Sequence, residues 1–102
     1  MLRTLLGLGP KVDVAQLLAE GAIVVDVRTK GEYAGGHVKG SVNIPLDRLE
    51  QELHRLKREK TVITCCASGM RSGSAATILR NHGFQAHNGG PWTKVQAAIN
   101  NK

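Results

Sequence analysis

Aromatic side chains are scarce in this chain: Tyr33, Phe84 and Trp92 are the only three among 102 residues. That scarcity excludes a stacking platform for single-stranded nucleic acid, which needs several aromatic faces along a groove. Cysteine is scarce too, and the two present, Cys65 and Cys66, are adjacent. Neighbours on a strand point to opposite faces, so this pair does not read as a structural disulfide, and a small secreted disulfide scaffold is a poor description. No zinc-finger or basic-zipper pattern occurs. Long apolar runs are also missing. The stretch from Met1 to Pro10 is mildly apolar but too short and too broken by glycine and proline for a signal-peptide core, and far too short to span a bilayer. Neither a nucleic-acid nor a membrane partner is expected, and a reducing cytoplasm is the expected location.

Basic residues, by contrast, are in excess: 14 Lys and Arg against 8 Asp and Glu, a formal net charge of +6. Much of the excess lies in Arg48, Arg55, Lys57, Arg58 and Lys60. The first four fall on or near the polar side of a helix-like pattern, which makes them a solvated face before they are a binding patch. An anionic small substrate fits the balance as well as any polyanion does.

The length fits one compact domain. Residues 12–102 are read as that domain and as a monomer, with residues 1–11 as a tail or a first strand. Val12, Val14, Leu17 and Leu18 predict a short helix with Asp13 near its start and Gly21 past its end. Ala22 to Val27 is a near-continuous β-branched run, the pattern of a strand covered on both faces. Arg28 to Gly36 is a polar loop with room for a helical turn at Glu32 to Ala34. Ser41 to Ile44 is a short strand stopped by Pro45. Leu46, Leu49, Leu53 and Leu56 recur at three and four residues and predict an amphipathic helix. Thr61 to Cys65 is the next strand, Ser72 to His82 a helix, and Phe84 to His87 a last strand. Asn88-Gly89-Gly90 is read as a turn, with Pro91 opening a helix that runs through Ile99. Strands alternating with helices predict an α/β layer fold with a mainly parallel sheet and helices on both faces. Ligands bind beyond the carboxyl ends of strands in such sheets.

Cys66 falls at such an end. After it come Ala67, Ser68, Gly69, Met70, Arg71 and Ser72, and then a helix. Small residues between a strand and a helix can present backbone N–H groups inward, and a helix N-terminus adds partial positive charge. Such a place favours a thiolate over a thiol and can hold an anion. Cys66 is therefore the candidate nucleophile, whereas Cys65 reads as a structural residue of the strand.

Three blocks carry a resemblance. The first is Asp26-Val27-Arg28, Glu32-Tyr33, Gly36-His37-Val38 and Gly40-Ser41-Val42-Asn43-Ile44-Pro45; the second is Cys66 to Ser72; the third is Asn88-Gly89-Gly90-Pro91-Trp92. In this order and spacing they resemble the single-domain rhodaneses, the thiosulfate and persulfide sulfurtransferases. The resemblance implies a rhodanese-like α/β fold with the catalytic cysteine at Cys66 and the persulfide-surrounding loop at Ala67 to Arg71, Ser72 starting the helix. It implies an anionic sulfur donor such as thiosulfate, a thiol as acceptor and no cofactor. It also implies that Asp26, Arg28 and Glu32 form a polar network bracing the loop. Four residues separate Cys66 from Arg71. The related phosphatases, which resemble this fold, have five there, so the shorter loop points to a single sulfur rather than a phosphoryl group. Many rhodaneses carry a basic or bulky residue directly after the cysteine, where this chain has Ala67. Two other classes stay open: a binding module on the same fold, and a phosphatase or arsenate reductase.

The remaining polar residues read as structural. His37 is expected to be a hydrogen-bonded histidine, and His54, His82 and His87 show no ligand spacing, so no metal is expected. Trp92 is expected to pack the last helix on the sheet. Gly89-Gly90 lacks the third glycine of a dinucleotide fingerprint.

Overall fold

The computed structural model describes residues 13–100, so the expectations for residues 1–11 and for Val12 lie outside the described residues. The chain runs through α1 (Val14–Ala19), β1 (Ile23–Asp26), α2 (Lys30–Ala34), β2 (Val42–Asn43) and a 3₁₀ segment (Leu46–Arg55). It continues through β3 (Val62–Cys66), α3 (Met70–Asn81), β4 (Ala86–Pro91) and α4 (Trp92–Asn100). The strands form one parallel sheet of four in the order β2-β1-β3-β4. Among the described residues no helix is long and apolar enough to cross a membrane.

The β-branched runs of β1 and β3 form the centre of the sheet and are covered on both faces. Side chains alternate along a strand, so each run feeds two cores. Val24, Ile63 and Cys65 meet Leu17 and Leu18 of α1 and Val95 and Ile99 of α4 on one face. Val25, Val62, Cys66 and Ala86 meet Leu49 of the 3₁₀ segment and Ala75, Ala76 and Leu79 of α3 on the other. Leu49 and Leu79 are fully buried, each worth about 1.5–3 kcal/mol of burial. The two central strands are registered Val25 to Thr64 and Asp26 to Cys65. That register brings the carboxyl ends of β1 and β3 side by side, where the candidate residues cluster.

Three local expectations are corrected. Leu46 to Arg55 is 3₁₀ rather than α-helical, and non-helical backbone at Glu52 splits it. The leucine pairs Leu46–Leu49 and Leu53–Leu56 are each three apart, so three residues per turn stacks each pair on one side, and the four-residue step spans the break. α3 begins at Met70 rather than Ser72, so Arg71 belongs to its first turn and not to the loop. β4 extends through Asn88, Gly89 and Gly90 to Pro91, with helix only from Trp92. The glycines there answer a packing need. A Cβ on Gly89 would lie 2.7 Å from Ile63 Cγ2, 2.8 Å from Val95 Cγ2 and 2.9 Å from the Thr64 carbonyl. β4 can approach β3 this closely only without a side chain at that position. The register between the two strands shifts at the same place, between Thr64 and Cys66.

Candidate active site

Cys66 is the last residue of β3 and its side chain is turned under the start of α3. Its Sγ accepts the backbone N–H of Gly69 at 2.9 Å and that of Ser72 at 3.3 Å, and lies 3.3 Å from the Ser72 hydroxyl. Gly69 takes φ of +103°, the left-handed region that lets the chain turn back over the sulfur. No side chain caps α3 in the usual way. The Cys66 sulfur fills that role, taking the N–H of Ser72, the third helical residue, which a cap residue would otherwise take. From β3, the Thr64 hydroxyl donates to the Ser72 carbonyl at 2.7 Å and fixes the first turn of the helix over the strand end.

This geometry gives the two neighbouring thiols opposite acidities. Burial pushes the Cys66 thiol up, but the Ser72 hydroxyl and the N–H groups of Ser72, Gly69 and Ser68 outweigh it and hold the thiol below its ordinary value. Cys65 faces the opposite core, where burial and then the Asp26 carboxylate push it up to about 12. Both thiols are free and buried. Only one of them is built to carry charge.

Asp26, Arg28 and Glu32, expected to form one network, fall into two separate ion pairs. Arg28 and Asp26 form a buried ion pair, with Nη2 at 2.7 Å from Oδ2 and Nε at 3.0 Å from both carboxylate oxygens. Arg28 also donates to the carbonyls of Gly36 at 2.7 Å and Glu32 at 3.3 Å, and its guanidinium stacks on Trp92, 4.9 Å from the ring centroid. This half ties the end of β1 to α2 and to the start of α4. Trp92 thus packs on an arginine as well as on the apolar face of the sheet.

The carboxylate of Glu32 goes elsewhere. It accepts both guanidinium arms of Arg71, at 2.8 and 3.0 Å, and joins α2 to the first turn of α3. A capping box holds it in place: Thr29 N–H donates to Glu32 Oε1 at 2.9 Å and Glu32 N–H to Thr29 Oγ1 at 3.2 Å. The Arg71 hydrogen bonds, then those of Thr29, pull the Glu32 carboxyl down to about 2. Arg71 therefore presents its charge to Glu32, and it is not among the main causes of the Cys66 acidity. Beside Arg71 opens a cleft of about 340 Å³, lined by Val27, Thr29, Pro45, Leu46, Asp47 and Arg71. Around the cradle Ala67, Ser68 and Met70 are exposed, and Met70 is the most exposed large apolar side chain described, at 81%.

One participant escaped the sequence reading. Asn88, assigned there to a turn, lies in β4 facing the cradle. It donates Nδ2–H to the Gly69 carbonyl at 3.0 Å, and its Oδ1 accepts the Ser72 hydroxyl at 2.6 Å and the Gly90 N–H at 2.9 Å. The signal available was a polar residue two positions from the buried Ala86, on the same face of one strand. His37 is held by Tyr33, as expected: its Nδ1 lies 2.8 Å from the Tyr33 carbonyl and its ring stacks on the Tyr33 ring.

A family model of the rhodanese-like domain matches residues 11–91. The chain belongs to the rhodanese-like domain family. The chain is 42% identical over 62 residues to the uncharacterized protein YqhL of Bacillus subtilis, an alignment covering 61% of this chain and 49% of YqhL. It is 37% identical over 71 residues to the thiosulfate sulfurtransferase GlpE of Pseudomonas fluorescens, covering 69% of this chain and 65% of GlpE. The chain thus spans about half of YqhL and, at 36%, about a third of the putative sulfur carrier protein YrkF of Bacillus subtilis. Among solved structures, a rhodanese-related protein from Thermoplasma volcanium superimposes with a TM-score of 0.70 at 29% identity, covering 91% of this chain and 93% of that one. The human single-domain sulfurtransferase TSTD1 does so with a TM-score of 0.64 at 29% identity, covering 80% and 91%.

Proposed function

We propose that this rhodanese-like domain is a sulfurtransferase that carries sulfane sulfur as a persulfide on Cys66. The observation that carries the reading is the cradle itself: a thiol whose pKa is held below its ordinary value by N–H groups and a hydroxyl, at the carboxyl end of a central strand. In the first half-reaction the Cys66 thiolate attacks the outer sulfur of a donor. The donor's S–S bond breaks, and sulfite or a thiolate leaves with the electron pair. Cys66 keeps the sulfur as a persulfide anion, whose charge the N–H groups and the helix N-terminus offset. In the second, an acceptor thiolate attacks that sulfur and Cys66 leaves as the thiolate again. The cycle is covalent and of the ping-pong type.

Three features bear on the donor. Ala67, Ser68 and Met70 bring no charge to the loop, and Arg71 is already engaged by Glu32. The cleft beside Arg71 is lined largely by Val27, Pro45 and Leu46. A dianion such as thiosulfate meets little free positive charge there, whereas a persulfide on an organic or protein thiol matches the apolar lining. Thiosulfate remains the simplest probe, and a reducing compartment such as the cytoplasm keeps Cys66 free to react. The phosphatase alternative needs a general acid for the leaving alkoxide; Asp26 and Glu32 are each held by an arginine, which leaves Asp47 of the cleft as the carboxylate that reading would have to use. The deciding experiment compares the sulfur-transfer rates to cyanide from thiosulfate and from an arenethiosulfonate, with hydrolysis of an aryl phosphate as control. Faster transfer from the thiosulfonate and negligible hydrolysis support the reading. Phosphate ester hydrolysis outpacing both transfers overturns it.

A further inference from the structure

The Ser72 hydroxyl has one proton and two neighbours that want it. Asn88 Oδ1, an acceptor only, lies 2.6 Å away, and Cys66 Sγ lies 3.3 Å away. While Cys66 is a thiol, Ser72 donates to Asn88 and its oxygen accepts the S–H. When Cys66 becomes a thiolate it has nothing to donate and gains by accepting. Asn88 can release the proton without being stranded, because its Oδ1 also accepts the Gly90 N–H at 2.9 Å. Its Nδ2 stays on the Gly69 carbonyl throughout, holding the loop whose N–H groups face the sulfur.

We propose that Asn88 is a positioning residue that competes with Cys66 for the Ser72 proton, so that the hydroxyl accepts from the thiol and switches to donate to the thiolate. The shorter distance gives Asn88 the proton in the resting thiol form. The competition sets how readily Cys66 ionises, and leaves the nucleophile less over-stabilised than an undivided Ser72 would make it. The inference rests on Cys66 being the reacting sulfur.

Two charges near the cluster are fixed by their own partners, while Lys94 of α4 runs past Gly90, where a Cβ would lie 4.0 Å from its Cδ. Arg71 on α3 is paired with Glu32 of α2, and Asp26 of β1 with Arg28. Cys65 of β3 belongs to the core on the opposite face. His87 neighbours Asn88 in β4, and strand alternation sends its side chain to the other side of the sheet.

The test follows the pH dependence of Cys66 alkylation by iodoacetamide, with the modified residue located by mass spectrometry. Wild type, Asn88→Ala, Ser72→Ala and the double variant are compared. Asn88→Ala removes the Ser72–Asn88 bond that ionisation must otherwise give up and lowers the midpoint by up to about one pH unit, the scale of one neutral hydrogen bond. Ser72→Ala raises it, and the double variant titrates like Ser72→Ala. A rise in Asn88→Ala, no change, or an equal fall with and without Ser72 overturns the inference. Asn88 is exposed, which favours a folded variant. If Asn88→Ala does not fold, Asn88→Asp takes its place: the carboxylate binds the Ser72 proton more firmly and raises the midpoint, by more in the presence of Ser72 than in its absence. Equal rises in both backgrounds overturn the inference. Alkylation does not require sulfur transfer, so a protein that transferred no sulfur would leave this result standing on its own.

Discussion

Replacing Gly69 by alanine separates the two tasks that this residue performs. At φ of +103° an L side chain is strained, at a cost of about 1–2 kcal/mol. Space adds little to that, since the new Cβ would lie 3.4 Å from Gly90 Cα. If the loop keeps its shape, the whole strain appears as lost stability, and the Cys66 acidity is unchanged. For a domain of this size that is a fall in Tm of roughly 4–16 °C. If the backbone relaxes instead, the Gly69 N–H leaves Cys66 Sγ, now at 2.9 Å, and the thiolate loses one hydrogen bond. A bond to a charged group is worth about 1.5–3 kcal/mol, so the Cys66 midpoint would rise by about 1–2 pH units while most of the stability is kept. Urea unfolding and the pH profile of alkylation, measured on one sample, divide the outcomes. A variant with wild-type stability and a wild-type profile would refute both the strain and the sulfur contact.

Cys65→Ser should leave much of the sulfur transfer intact while Cys66→Ser abolishes it, measured as thiocyanate formed from cyanide. The first variant should also lose about 1–3 kcal/mol on urea unfolding, because a hydroxyl replaces a thiol in a sealed core. Glu32 should titrate near 2 rather than 4.5 in a pH series followed by carboxyl NMR. Its folded value is depressed, so its contribution to stability is complete above the unfolded value of 4.5 and is lost as pH falls through about 2. Inserting one glycine between Ala67 and Ser68 should weaken sulfur transfer and raise affinity for phosphate or arsenate, read by calorimetry, because the wider loop suits a tetrahedral oxyanion.

Where side chains act on near neighbours in sequence, the site was legible. The β-branched run of β1, the small residues after Cys66 and the position of that cysteine at a strand end all follow from local pattern. What escaped is carried by long-range contacts. Asn88 meets Ser72 and Gly69 across 16 and 19 residues, and Asn-Gly-Gly has the composition of a turn, so it was placed in one. The structure requires Gly89 because β3 and α4 leave no room for a side chain there, a reason that composition cannot show. Arg71 finds Glu32 across 39 residues and braces two helices, a partner that local spacing does not name. The start of α3 was misplaced because its cap is a glycine with positive φ and the acceptor is a sulfur, not the usual Ser, Thr, Asp or Asn. Leucines spaced three, four and three suit an α-helix, and the break at Glu52 that lets two 3₁₀ turns carry them leaves no mark in that spacing.

The most direct measurement is the intact mass of the protein after brief mixing with an arenethiosulfonate or thiosulfate, with the modified residue located by peptide mapping. A gain of one sulfur on Cys66, lost again on adding cyanide or a thiol, is the predicted result. No added sulfur from either donor, or sulfur found on Cys65, would contradict a Cys66 persulfide as the working state of this domain.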